Sequence, residues 1–80
     1  RMKPEAKQWK ANFSKGKKLF RKGGEQRLEK AFELLTLSAR SFPDSYVAKE
    51  CHELRVLILS KQGETDAAEM EKKRVRFFYP

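Results

Sequence analysis

The stretches Arg40-Ser41-Phe42-Pro43 and Arg74-Val75-Arg76-Phe77-Phe78-Tyr79-Pro80 both bring arginine and aromatic residues to a proline, and the two prolines lie 37 residues apart. Proline pushes the residue before it out of the helical region, so a helix ends at or before that residue. Two stops at a fixed interval divide the 80 residues into two units of similar size. Each unit carries helical signals in the same order. Trp9, Phe13, Gly16 and Phe20 fall 4-3-4 apart along one helical face, and Gly23-Gly24 terminates that helix. A second helix places Leu28, Ala31, Phe32, Leu35, Ala39 and Phe42 on one side. In the next unit Asp44 or Ser45 supplies a cap, and Val47, Cys51, Leu54 and Ile58 repeat the 4-3-4 stripe. Gly63 ends the third helix, and Thr65 or Asp66 opens a fourth that runs to about Phe78.

Ala31 precedes Pro43 by twelve residues, and Ala68 precedes Pro80 by twelve. Small residues at these points let paired helices approach closely. With this register the chain resembles the tetratricopeptide repeat family. Its first helix carries W-x2-L-G-x2-Y, and its second carries A-x3-F and a terminal proline. Lys15-Gly16-Lys17-Lys18-Leu19 stands for the L-G-x2-Y segment, and Ala31, Leu35 and Pro43 for the remainder. In the second unit Lys61-Gln62-Gly63, Ala68 and Pro80 match the spacing. The period is 37 rather than 34, Asn12 occupies the tryptophan position, and Lys72 occupies the aromatic position after Ala68. The segment Phe42–Ala48 is similar to junctions in bacterial envelope members of the family, and the aromatic-proline endings are similar to half-repeats of RNA-processing scaffolds.

The resemblance implies an all-α fold of two stacked antiparallel hairpins. It forms one domain over residues 1–80, with repeat one at about 5–43 and repeat two at about 44–80. Solenoids of this kind ordinarily stack three or more repeats, so it also implies further repeats or a docked partner. The concave surface would be lined by the first helix of each hairpin. Carried across position by position, this places Lys10, Phe13, Lys17 and Arg21 on the groove face of the first helix. On the third helix it places Glu50, Glu53 and Leu57.

Charge narrows the function. Residues 1–24 hold nine basic side chains against Glu5 alone, whereas residues 25–80 hold ten of each sign. A basic first helix suits an acidic peptide or partner helix. A nucleic-acid backbone is the alternative, gripped by the same cations with Trp9, Phe13 and Phe20 interleaved. Aromatics at helical spacing more often form core than stacking platforms. The carboxylate clamp of chaperone-cofactor repeats is not matched, because its lysine and asparagine positions read Phe13 and Lys17. Residues 4–22 also have the make-up of a cationic membrane-surface helix, and Lys72–Arg76 that of a nuclear import signal.

Other classes find little in the sequence. The longest apolar run is Val56-Leu57-Ile58-Leu59, far below the roughly 18 residues of a membrane span. A lone cysteine forms no internal disulfide and favours a reducing compartment. Cys51 and His52, about 100° apart on a helix, are too few for a metal site, and no cofactor is expected. They read as a buried thiol beside a surface imidazole that lacks a carboxylate partner beyond its sequence neighbours. No nucleophile stands with a base and an orienting group, so the expected role is non-catalytic.

Overall fold

The computed structural model describes residues 9–41 and 46–80, which form four α-helices. They are α1 (Trp9–Lys22), α2 (Glu25–Ser41), α3 (Tyr46–Lys61) and α4 (Thr65–Phe78). Each helix packs chiefly on its neighbour in sequence, α1 on α2, α2 on α3 and α3 on α4. Phe42, Pro43, Asp44 and Ser45, and the first residues of the cationic 4–22 segment, lie outside the described residues.

Glycine sets the two described turns. Gly23 and Gly24 have φ of 73° and 89°, the left-handed region open to glycine at little cost. Gly23 donates its N–H to the Leu19 carbonyl at 3.1 Å, closing the last turn of α1. After α3 the Glu64 N–H reaches the Leu59 carbonyl at 2.9 Å, and the Gly63 N–H reaches Ser60 at 3.1 Å. This pair of bonds around a left-handed glycine is a Schellman stop. The next helix begins at Thr65 as the sequence suggests, but Glu64 holds the cap position and makes no side-chain capping bond. Arg21 and Lys22 in the last turn of α1, and Asp66 in the first turn of α4, match the helix dipoles.

The core runs along α2 and α3. Leu28, Ala31, Leu35 and Ala39 meet Ala48, Cys51 and Ile58, and Phe13, Phe20, Phe32, Val47 and Leu54 pack around them. The apolar stripes of α1, α2 and α3 thus point where their spacing indicated. Leu34 and Ser38 of α2 are buried as well, although the stripe did not include them. Ser38 is accommodated because its hydroxyl donates to the Trp9 carbonyl at 3.0 Å.

Gly16 governs how α1 meets α2. A Cβ added there would lie 2.9 Å from Leu35 Cγ and 3.5 Å from the Ala31 carbonyl oxygen. Leu35 is fully buried and has little room to retreat. In a solvated helix Gly→Ala stabilises by about 1 kcal/mol, whereas overpacking a core costs about 1–3 kcal/mol. Gly16→Ala should therefore destabilise by roughly 1 kcal/mol in urea unfolding, and less in a Leu35→Val background. A more stable Gly16→Ala variant would mean that α1 stands farther from α2.

Cys51 is fully buried, and desolvation pushes its thiol up to about 11, with Ser38 only partly opposing the effect. The unfolded chain ionises near 9.0 while the native thiol stays neutral. The Cys51 contribution is fully present below pH 9.0 and falls as pH rises towards 11, by about 2–3 kcal/mol. The wild type should lose that much more stability than Cys51→Ala between these limits. Parallel pH profiles of the two proteins would exclude the effect.

Candidate functional site

Lys10, Phe13, Lys17 and Arg21 share one face of α1, and Glu50, Glu53 and Leu57 share one face of α3. The fold brings these faces side by side. Lys17 Nζ lies 3.2 Å from Glu50 Oε1, so two residues picked independently from separate helices are partners. The pairing changes the character of the surface. An exposed pair of this kind adds about 0–1 kcal/mol of stability, yet it neutralises one cation of the expected basic groove. The face is cationic along α1 and anionic along α3. Tyr46, 91% exposed, and Leu57, 49% exposed, lie along the same side of α3 as Glu50 and Glu53.

Phe13 does not stand free in this face. It packs against the core, and Lys17 Nζ sits 4.9 Å from its ring centroid. Trp9 is half-buried with Lys10 Nζ 5.7 Å from its ring, and Phe20 packs on the core with Lys61 Nζ at 5.2 Å. Each aromatic of α1 is thus covered by a cation, an attraction of about 0.5–1 kcal/mol at exposed sites. They are poorly placed as platforms for stacked bases. The Lys72–Arg76 segment lies within α4, where Lys72 pairs with Glu69 at 3.2 Å.

A second constellation lies between α3 and α4. Glu71 is 5% exposed, on the same buried side of α4 as Ala68. Its Oε1 lies 2.9 Å from His52 Nδ1 and 3.4 Å from Arg55 Nη1, and its Oε2 lies 4.0 Å from Arg74 Nη1. His52 is therefore not a surface imidazole without a carboxylate partner: the acid comes from 19 residues away, beyond sequence adjacency. Arg55 Nη1 also approaches His52 Nδ1 at 3.2 Å. The roles follow the imidazole tautomer: with hydrogen on Nδ1, His52 and Arg55 both donate to Glu71 Oε1, and without it Nδ1 accepts from Arg55. The Arg55 guanidinium lies 4.6 Å from the Phe32 ring centroid of α2, and its buried Nε has no hydrogen-bond partner. The Tyr79 ring, 5.9 Å from that of His52, closes the cluster on one side.

The sequence held one signal for this cluster. Three residues after the small Ala68 is a position on the buried side, and a glutamate there requires a cation from a neighbouring helix. The family register instead drew attention to Lys72, which is exposed. Among the described residues no three His, Cys, Asp or Glu side chains are placed to hold a metal ion. No helix among them is long and apolar enough to cross a membrane.

Glu71→Ala leaves Arg55 without its carboxylate in a largely buried setting, a loss of about 3 kcal/mol. Replacing both partners together, Arg55→Met with Glu71→Leu, should recover most of that stability. If thermal unfolding shows Glu71→Ala to be neutral, solvent already compensates Arg55 and the cluster is not structural.

The chain matches no protein-family model, no curated protein and no solved structure.

Proposed function

We propose that the chain is a tetratricopeptide-like helical-hairpin module. In this reading it binds another protein rather than catalysing a reaction, and takes an acidic peptide or partner helix along the basic groove face of α1. The consecutive packing of four helices with glycine turns is compatible with that family's hairpins.

The charge of α1 carries the reading. Residues 9–22 contain six basic side chains and no acid. Among the described residues only Lys17 of these six has a carboxylate partner. Lys10 and Arg21, flanking Lys17 on the same face, keep their charge for a ligand. Such a cationic ridge speeds encounter with an acidic partner and fixes its register. Tyr46 and Leu57 supply apolar contact beside it, and Glu50 and Glu53 would repel an acidic segment that strayed onto α3. The covered aromatics of α1 favour a protein partner over single-stranded nucleic acid, whose binding proteins usually offer open stacking rings.

The test titrates the chain with a labelled Asp/Glu-rich peptide and with a labelled single-stranded RNA, each across a salt series. Peptide binding should fall at least about tenfold in Lys10→Glu/Arg21→Glu, with an unchanged melting temperature. RNA bound more tightly than the peptide at physiological salt, with a steep salt slope, would replace this reading with a nucleic-acid one. Peptide binding that ignores the double reversal would remove α1 from the interface.

A further inference from the structure

The α3/α4 side of the molecule carries two adjoining hollows of about 150 and 360 Å³ with a common wall of Arg55, Glu71 and Arg74. The smaller is completed by His52, Val75, Phe78 and Tyr79, and the larger by Phe32, Leu59, Asp66, Ala67 and Met70. We propose that this double hollow is a second docking groove, for a peptide segment that presents a bulky apolar side chain next to a carboxylate.

Two features of the wall select that chemistry. The first is charge. Glu71 is already held by His52 at 2.9 Å and Arg55 at 3.4 Å, so it has little need of Arg74, which reaches it only at 4.0 Å. Arg74 is 64% exposed at its side chain. In the smaller hollow one carboxylate stands against two guanidinium groups, whereas Asp66 adds a second carboxylate to the larger one, so the positive excess lies on the Phe78 side of Arg74. An incoming carboxylate would find in Arg74 a planar, two-pronged donor only loosely engaged by Glu71.

The second feature is apolar surface. Met70 and Phe78 are 57% and 68% exposed, and with Phe32 and Leu59 they border the hollows on either side of the arginines. Apolar side chains flanking an available cation form an anchor-and-charge pattern: burial supplies affinity and the guanidinium supplies orientation. An acidic segment without a large apolar residue would leave the hollows empty, and an apolar segment without an acid would leave Arg74 unanswered.

This groove is separate from the α1/α3 face. On a helix with 100° per residue, His52, Arg55 and Leu59 point roughly 160° away from Glu50, Glu53 and Leu57. One chain could therefore hold two partners on opposite sides of α3, and the groove stands or falls independently of the α1 reading.

The experiment is an amide-resolved NMR titration of the 80-residue chain with three small probes. N-acetylphenylalanine carries both features, N-acetylphenylalaninamide lacks the carboxylate, and acetate lacks the ring. N-acetylphenylalanine should shift amides around residues 55–59 and 67–79 and saturate with a Kd on the order of 1 mM, the range for a fragment of this size. The amide and acetate should each bind at least about tenfold more weakly. Arg74→Gln should reduce binding of N-acetylphenylalanine by about tenfold while leaving the thermal midpoint unchanged, since Arg74 is exposed. Four results would overturn the groove: no saturable shift at these residues, equal binding of acid and amide, indifference to Arg74→Gln, or shifts confined to α1. Concentration-dependent shifts of the same residues without any probe would assign the surface to self-association and overturn the peptide proposal.

Discussion

The tertiary structure depends on the seam between α2 and α3. Leu28, Ala31, Leu35 and Ala39 on one side, and Ala48, Cys51 and Ile58 on the other, form the continuous buried cluster of the chain. Three of these seven are alanines, so the seam is built as much from close approach as from large side chains. Close approach makes each void or overlap expensive, because a packed interior cannot relax far around a misfit. Against this seam α1 and α4 add the outer layers, each chiefly through one neighbour. A chain of this size has little reserve stability. Any surface proposed for function is therefore held by a small number of contacts to the seam.

The outer helices attach by different physics. On the α1 side, Gly16 removes a side chain so that Leu35 can press against backbone, and the contact around it is apolar. On the α4 side, Ala68 gives a small contact, but the next buried position holds Glu71, and charge must be matched across the interface. The 37-residue offset pairs Glu71 with Leu34 of the first unit, which is buried and apolar. Where Leu34 is apolar, Glu71 is a carboxylate that requires His52 and Arg55 as partners, with Arg74 only loosely engaged. Glu71 also belongs to the charged wall of the hollows behind α3.

Much of the fold was legible in the one-dimensional pattern. The 4-3-4 stripes of α1 and α3 point to the core because apolar periodicity and helix geometry share one period. Gly23, Gly24 and Gly63 mark ends because only glycine enters the left-handed region cheaply. The site was legible in a different sense. Lys17 and Glu50 were each assigned to an exposed face, but nothing in the spacing said that they would touch. A long-range ion pair depends on which face of one helix meets which face of another, and the sequence carries no direct record of that. Phe13 shows the opposite limit. Helical spacing put it both in the core stripe and on the groove face, and packing resolved the matter by burying the ring under Lys17.

By itself the sequence determined the helices and their stops, the buried stripes of α1 and α3, and the concentration of positive charge in the first part of the chain. These are local properties, set by backbone preferences and by the 3.6-residue period. Only the tertiary structure decided what the charges do. It neutralised Lys17 with Glu50 and left Lys10 and Arg21 without carboxylate partners among the described residues. It also gave His52 a buried carboxylate from α4, and it exposed Arg74 between two hollows. Charge–charge contacts form between helices far apart in sequence, and their energies change several-fold with a few ångströms of distance and with burial. No one-dimensional pattern fixes those two quantities, whereas the packing of α3 between α2 and α4 fixes both.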